Sequence, residues 1–255
     1  MSKNPHHKLD LARMKERWAQ LHQGDAEAWP KEPSVQQAWL MFHRGEFHKA
    51  VDLGLAAGGA GLNVANKAQL IMARHLETQE KQRLALLQAV ADRAGSQLLA
   101  LGSPAETLAQ AHFWRGHALS QYCQGLNVAK ALALGLSAQA KTHLELAVAL
   151  APHHADAHLA LAHFHADLID KVGPLIAQMS YGASAQTAMG LLAHAASLQT
   201  RSLMGLIEQA RALVLLQGEV ALAQATALYE EALRFKPLDA AEQLEIELAR
   251  AEMRD

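Results

Sequence analysis

Histidine is the residue whose placement in this chain most invites chemistry. The chain holds 15 of them, and a run from His153 through His154, His158 and His163 to His165 packs several into one short stretch. If 155–169 is a single helix, His154, His158 and His165 fall within about 40° of one another at about 100° per residue. Leu161, Leu168 and Ile169 share that sector, while His163 points the other way with Asp156 and Asp167. Imidazoles four residues apart can hold a metal together. The His-Glu-x-x-His pattern is absent, however, and no carboxylate joins the stripe. Three readings stand: a metal site, hydrogen-bonded packing, or the lining of a ligand groove in which a few polar groups interrupt an apolar wall. The site residues put forward for a ligand or partner are His158 and His165, with Asp170, Lys171 and Tyr181 beside them in sequence. No metal and no cofactor is expected.

Other chemistry is scarce. There is no Gly-x-Ser-x-Gly elbow, no phosphate-binding Gly-x-x-x-x-Gly-Lys loop and no dinucleotide fingerprint after a strand. Gly58-Gly59-Ala60-Gly61 follows a helical pattern and reads as a turn. His112, Trp114, Arg115 and His117 share one helix and read as core and surface. Cys123 is the only cysteine; it excludes a disulfide or a cysteine-based zinc site within one chain. No catalytic residue is assigned, and the chain is expected not to be an enzyme.

The elements that must position these residues are helical. The composition is 51% hydrophobic and only 5% aromatic, with 7 prolines as sparse punctuation, which suits helices and argues against a β-sandwich. The formal net charge of −2 offers no basic field for nucleic acid. The start, Met1 to Lys8 with its His6-His7 pair, has no apolar core of a signal peptide, and no unbroken apolar run of spanning length stands out. No membrane insertion is expected, and a cytoplasmic location is.

Leu11, Met14, Trp18 and Leu21 share a helical face that Gly24 can end. Pro30 and Pro33 break the chain and Ser34 can cap a helix bearing Val35, Ala38, Trp39 and Phe42. Gly45 then turns it into a second helix ending near Gly58, an αα-hairpin. Longer helices are expected over 63–76, 79–101 and from a Ser103-Pro104-Ala105-Glu106 start through Trp114 and Tyr122, followed by a short one near 127–134. Beyond Ser137, helices are expected over 138–150, 155–169, 184–198, 202–217, 220–235 and 240–253, the last with a capping box of Asp239 and Glu242.

One helix-end module recurs. Leu144, Ala147, Leu150 and Pro152 reappear as Tyr229, Ala232, Phe235 and Pro237, with a weaker copy at Leu192, Ala195, Leu198 and Thr200. The two prolines are 85 residues apart, where two helical hairpins of about 34 residues would need about 68. The surplus falls in 170–183, an apolar insertion carrying Gly173-Pro174, expected as a loop on a binding face.

With these residues the chain resembles tetratricopeptide (TPR) repeats. Ala140, Leu144, Ala147 and Pro152, and again Ala225, Tyr229, Ala232 and Pro237, match the family's second-helix positions; Gly45, Phe47 and Ala50 match its turn. Over about the C-terminal 150 residues, Tyr122, 128–132, 153–158, Phe164-His165, 170–173, 181–183 and 228–232 resemble bacterial TPR proteins grouped with the TPR component of TRAP solute transporters. That resemblance implies a groove or pore and a solute-binding partner protein.

The expectation is therefore an all-α, right-handed superhelical stack of helical hairpins, a degenerate TPR α-solenoid. It forms one domain over 1–255, divided into 9–58, a long-helix region at 62–135, and degenerate units at 136–255 with the insertion at 170–183. Stacked repeats present a concave surface. The first functional expectation is a scaffold for a protein or peptide partner. The alternative is a binder of a small apolar ligand, with its pocket beside the insertion.

Overall fold

The computed structural model describes residues 8–99, 104–199 and 202–254. Among them every regular element is a helix. The first half runs α1 (Leu11–Glu16), α2 (Trp18–Leu21), α3 (Pro33–His43), α4 (Phe47–Ala57), α5 (Gly61–Ile71), α6 (Glu80–Gln97) and α7 (Ala105–Gln124). The second runs α8 (Val128–Ala133), α9 (Leu136–Leu150), α10 (Ala155–Val172), α11 (Pro174–Tyr181), α12 (Ala185–Leu198), α13 (Leu203–Gln217), α14 (Leu222–Ala232) and α15 (Ala240–Glu252). A π-helical turn, Met72–Leu76, follows α5, and a 3-10 turn, Gly218–Ala221, precedes α14. Gly102, Ser103, Thr200, His6 and His7 lie outside the described residues.

The helices pack mainly as neighbours in sequence: α3 on α4, α4 on α5, α6 on α7, α7 on α9, α10 on α12 and α13 on α14. The recurring module explains part of this. Leu144 and Ala147 of α9 are buried, as are Tyr229 and Ala232 of α14 and Leu192 and Ala195 of α12. Alanine at the contact lets backbones approach, and one large neighbour fills the groove. Leu150 is half-exposed and Pro152 exposed, so the module's end belongs to the exit turn and not to the core.

Several expectations are corrected. The first amphipathic stretch is two short helices broken at Arg17, burying Met14 and Trp18. The next helix begins at Pro33 with Glu32 before it, so Ser34 is inside the first turn and caps nothing. The 170–183 insertion is not a loop. α10 continues to Val172, Gly173 takes φ of 80°, and Pro174 opens α11. Proline is at home in a first helical turn, and glycine supplies the left-handed backbone between the two helices. α11 buries Ala177 and leaves Leu175, Ile176 and Met179 exposed. Finally, Leu203–Ala232 is by length and composition apolar enough to cross a membrane, with mean hydropathy 1.3 in its best window. In the fold it is interrupted by the Gly218–Ala221 turn, and its α13 part buries Leu203, Ile207 and Leu213.

The last helix returns to the first hairpin. α15 packs on both α13 and α3. Its cap is the Asp239–Glu242 pair: Asp239 Oδ1 accepts from the Glu242 N–H at 2.9 Å, and Glu242 Oε2 accepts from the Leu238 N–H at 2.6 Å. The other oxygen of Asp239 accepts a 2.7 Å hydrogen bond from Nδ1 of His43, a side chain that is fully buried. Chain positions 196 apart are thus joined through one charged contact. His43→Ala would leave Asp239 without this partner and is expected to cost about 3–5 kcal/mol in urea unfolding. Glu247→Ala, on the exposed side of α15, should cost less than about 0.5 kcal/mol.

Candidate functional site

The His43–Asp239 contact is the outer end of a longer chain. His22 Nδ1 lies 2.9 Å from Asp25 Oδ1, and its Nε2 lies 3.3 Å from Nε2 of His43. Lys67 Nζ donates to the second oxygen of Asp25 at 2.6 Å. All four relay groups are buried. Trp18 stacks on His22 and Trp39 on His43, and Lys67 lies over the rings of Trp39 and Phe42. Lys67 and the two imidazoles surround the two carboxylates of the cluster. Burial raises the Asp25 carboxyl, but His22 and Lys67 outweigh it and hold that carboxyl well below its usual range. Burial opposes protonation of His22, whose pKa falls to about 4.

Asp25, Lys67 and Asp239 are also on the wall of a cavity of about 430 Å³, partly open to solvent. The wall draws on α2, α3, α5, α7, α10, α13 and α15. One side is apolar, with Phe42, Leu70, Phe113, Trp114 and Leu159. Trp114 is fixed by its indole N–H, which donates to Asn63 Oδ1 at 3.3 Å. The face of α10 at Asp156, Leu159, Ala160 and His163 supplies another strip, at the spacing of one helical stripe.

The wall also carries a charged lattice. The π turn aims Arg74 and His75 at two different helices, as such local departures from α geometry often do at sites. Arg74 NH2 reaches Glu208 of α13 at 2.9 Å and its Nε reaches Glu245 of α15 at 3.2 Å. His75 Nε2 is 2.8 Å from the same Glu245 Oε1. Arg211 binds Glu208 at 2.6 Å and Glu252 at 3.0 Å. Burial pushes the Glu245 carboxyl up, yet Arg74 and His75 prevail and keep it below its ordinary value. Burial lowers His117 to about 3, aided by Arg74.

Asp156 is tied to Gly24. Its N–H donates to the Gly24 carbonyl at 3.0 Å, and a Cβ on Gly24 would stand 2.2 Å from Asp156 Oδ1. Only glycine leaves room for this carboxyl against the backbone. Burial, and then the charge of Asp25, raise Asp156 to about 6. Burial and Asp239 raise Glu242 to about 7 in the same way.

None of the five residues put forward from sequence lines this cavity. His158 donates from Nε2 to the Pro152 carbonyl at 2.8 Å and meets His194 edge to face. His165 Nδ1 accepts from the Ser184 N–H at 3.2 Å, and His154 accepts from the Ala157 N–H as the cap of α10. Each imidazole in the stripe thus serves a different piece of backbone. Asp170 is exposed, and Lys171 pairs with Asp167 at 3.0 Å. Lys171 and Tyr181 border a cleft of about 20 Å³, about the room of one water. Among the described residues no group of three or more His, Cys, Asp or Glu is arranged to hold a metal ion. The residues sequence reasoning missed are Asp25, Lys67, Arg74, Glu208 and Glu245. Only His163 with Asp156, placed opposite the histidine stripe, gave a local signal.

No protein-family model, curated protein or solved structure matches the chain.

A raised carboxyl pKa has a definite sign. Folded Asp156 keeps its proton to higher pH than the unfolded chain does. Its contribution is full below about 4, the unfolded value, and is lost as pH rises through about 6. Asp156→Asn should therefore gain on the wild type by roughly 2–3 kcal/mol between pH 4 and pH 7.5, measured by urea unfolding at each pH. A difference that does not vary with pH would contradict this assignment.

Proposed function

We propose that the chain is a non-enzymatic binding protein whose ligand, a small organic molecule, occupies the cavity between α7, α10, α13 and α15. The single observation that carries this is the cavity itself. At about 430 Å³ it falls within the range of small-molecule sites, and it combines an apolar wall with fixed polar groups. In this reading the hairpins form a degenerate TPR stack of right-handed superhelical sense, whose concave side α15 covers. The resemblance to TPR proteins associated with solute transport points the same way. A binding role suits the wall chemistry. Its arginines and Lys67 are engaged with carboxylates, and His117 bonds Gln121 at 2.8 Å. The Ser202 hydroxyl accepts from the Gly205 N–H at 3.0 Å as a helix cap.

A second reading, a scaffold for a protein or peptide partner, draws on α11. Its exposed Leu175, Ile176 and Met179 make an apolar ridge on the outside of the fold. The cavity reading is preferred because its polar and apolar groups line one concave volume.

The test is a thermal-shift screen of small amines, alcohols and carboxylates, each with an apolar body, against the wild type and Ala160→Phe. Ala160 lies on the cavity wall, and the larger ring fills the space behind it. At least one compound class should raise the midpoint of the wild type, and the rise should vanish in the filled variant. A flat screen, or shifts that survive filling, would sink the proposal.

A further inference from the structure

The ligand's charge can be read from the cavity wall. Seven carboxylates and four permanent cations line it among the described residues. One of those cations, Arg83, is spent on Glu80, with bonds of 2.7 and 2.8 Å, and Glu80 is not part of the wall. The wall therefore holds a clear surplus of negative charge.

That surplus is not evenly distributed. Asp25 and Asp239 are consumed by the histidine relay and Lys67. Glu208 holds Arg74 and Arg211, and Glu252 accepts from Arg211 and from the Tyr229 hydroxyl at 2.8 Å. Two carboxyls, Asp156 and Glu242, retain capacity for a ligand, and Glu245 adds charge behind them: its side chain is only 2% exposed, and its Oε2 is buried without a hydrogen bond, 3.6 Å from Arg211. Asp156 receives a 3.3 Å bond from Gln199 to Oδ1, and Glu242 receives the Leu238 N–H on Oε2. A buried carboxylate oxygen with no donor is costly, and a donor-rich cation is what relieves it.

An anionic ligand finds no such welcome. Lys67, Arg74 and Arg211 are all committed to carboxylates, so binding an anion would require breaking an ion pair. The apolar side adds aromatic faces at Phe42, Phe113 and Trp114, which attract cations and cover hydrocarbon.

We propose that the cavity selects an organic cation, an ammonium or guanidinium on an apolar body, with Asp156 and Glu242 receiving its N–H groups, the buried charge of Glu245 behind them and the aromatic wall covering its body. The proposal rests on the reading of the cavity as a ligand site and specifies what that site takes. The upward displacement of Asp156 and Glu242 agrees with it, since burial and a neighbouring carboxylate destabilise both as anions, which a bound cation would relieve.

The test is calorimetric titration at pH 7.5 with three probes of one shape: 4-phenylbutylamine, 4-phenylbutanol and 4-phenylbutyrate. The amine should bind about tenfold or more tightly than the alcohol, and the carboxylate should bind weakest. Asp156→Asn, which keeps the carbonyl that accepts from Gln199, and Glu242→Gln should each weaken the amine several-fold and leave the alcohol unchanged. Circular dichroism melts confirm that each variant is folded. If the alcohol or the carboxylate binds as tightly as the amine and Ala160→Phe abolishes that binding, the charge selection is wrong while the ligand site stands. If none of the three binds, both readings fall together.

Discussion

A buried relay of Asp25, His22, His43 and Asp239 is the constraint on which the other features depend. It joins the turn after α2, the end of α3 and the cap of α15, and it does so where a charge error would be expensive. Lys67 sets a cation against its carboxylates. Apolar packing alone would hold α15 against α13 and α3 with little directional preference. The relay adds direction. Asp239 caps the helix with one oxygen and anchors it to His43 with the other, so the helix starts at a fixed point and a fixed angle.

That fixed start has consequences farther along α15. Glu245 is brought to the π turn, where Arg74 and His75 converge on one of its oxygens, and Glu252 is brought to Arg211. Two charged clusters then bracket one volume. The space between them remains open because its groups oppose full collapse. Carboxylates on neighbouring walls repel one another, and Gly24 leaves only enough room for the carboxyl of Asp156. Two opposing demands are visible in the shifted carboxyls. Ion pairing pulls Asp25, Asp239 and Glu245 down, whereas burial beside like charge drives Asp156 and Glu242 up. A fold that wanted stability alone would pair all five or replace them with apolar groups.

Local order was legible in the sequence because its causes are local. The alanine and leucine periodicity placed α9, α10, α12, α13 and α15 within a few residues, and the Asp239–Glu242 spacing marked a real cap. The break at Gly173-Pro174 was legible, but that pair signals a break without saying that a helix follows it. The cavity was not legible. Its contacts join residues from α2 to α15, and no periodicity reports a contact such as Arg74 to Glu208 across 134 positions. The histidine stripe does not line this cavity; the face of α10 that carries Asp156 and His163 does. Once other helices pack over that polar face, it becomes the wall of a partly open cavity.

The most direct test of this account is hydrogen exchange along α15. If the relay closes the fold, amides from Gln243 to Ala249 should exchange as slowly as those of α7 and α10, opening only with global unfolding. Exchange of α15 within seconds, as in a frayed terminal helix, while α7 and α10 stay protected, would contradict it. In that event the cavity would have no fixed wall on the α15 side, and its charges would not be held where a ligand could use them.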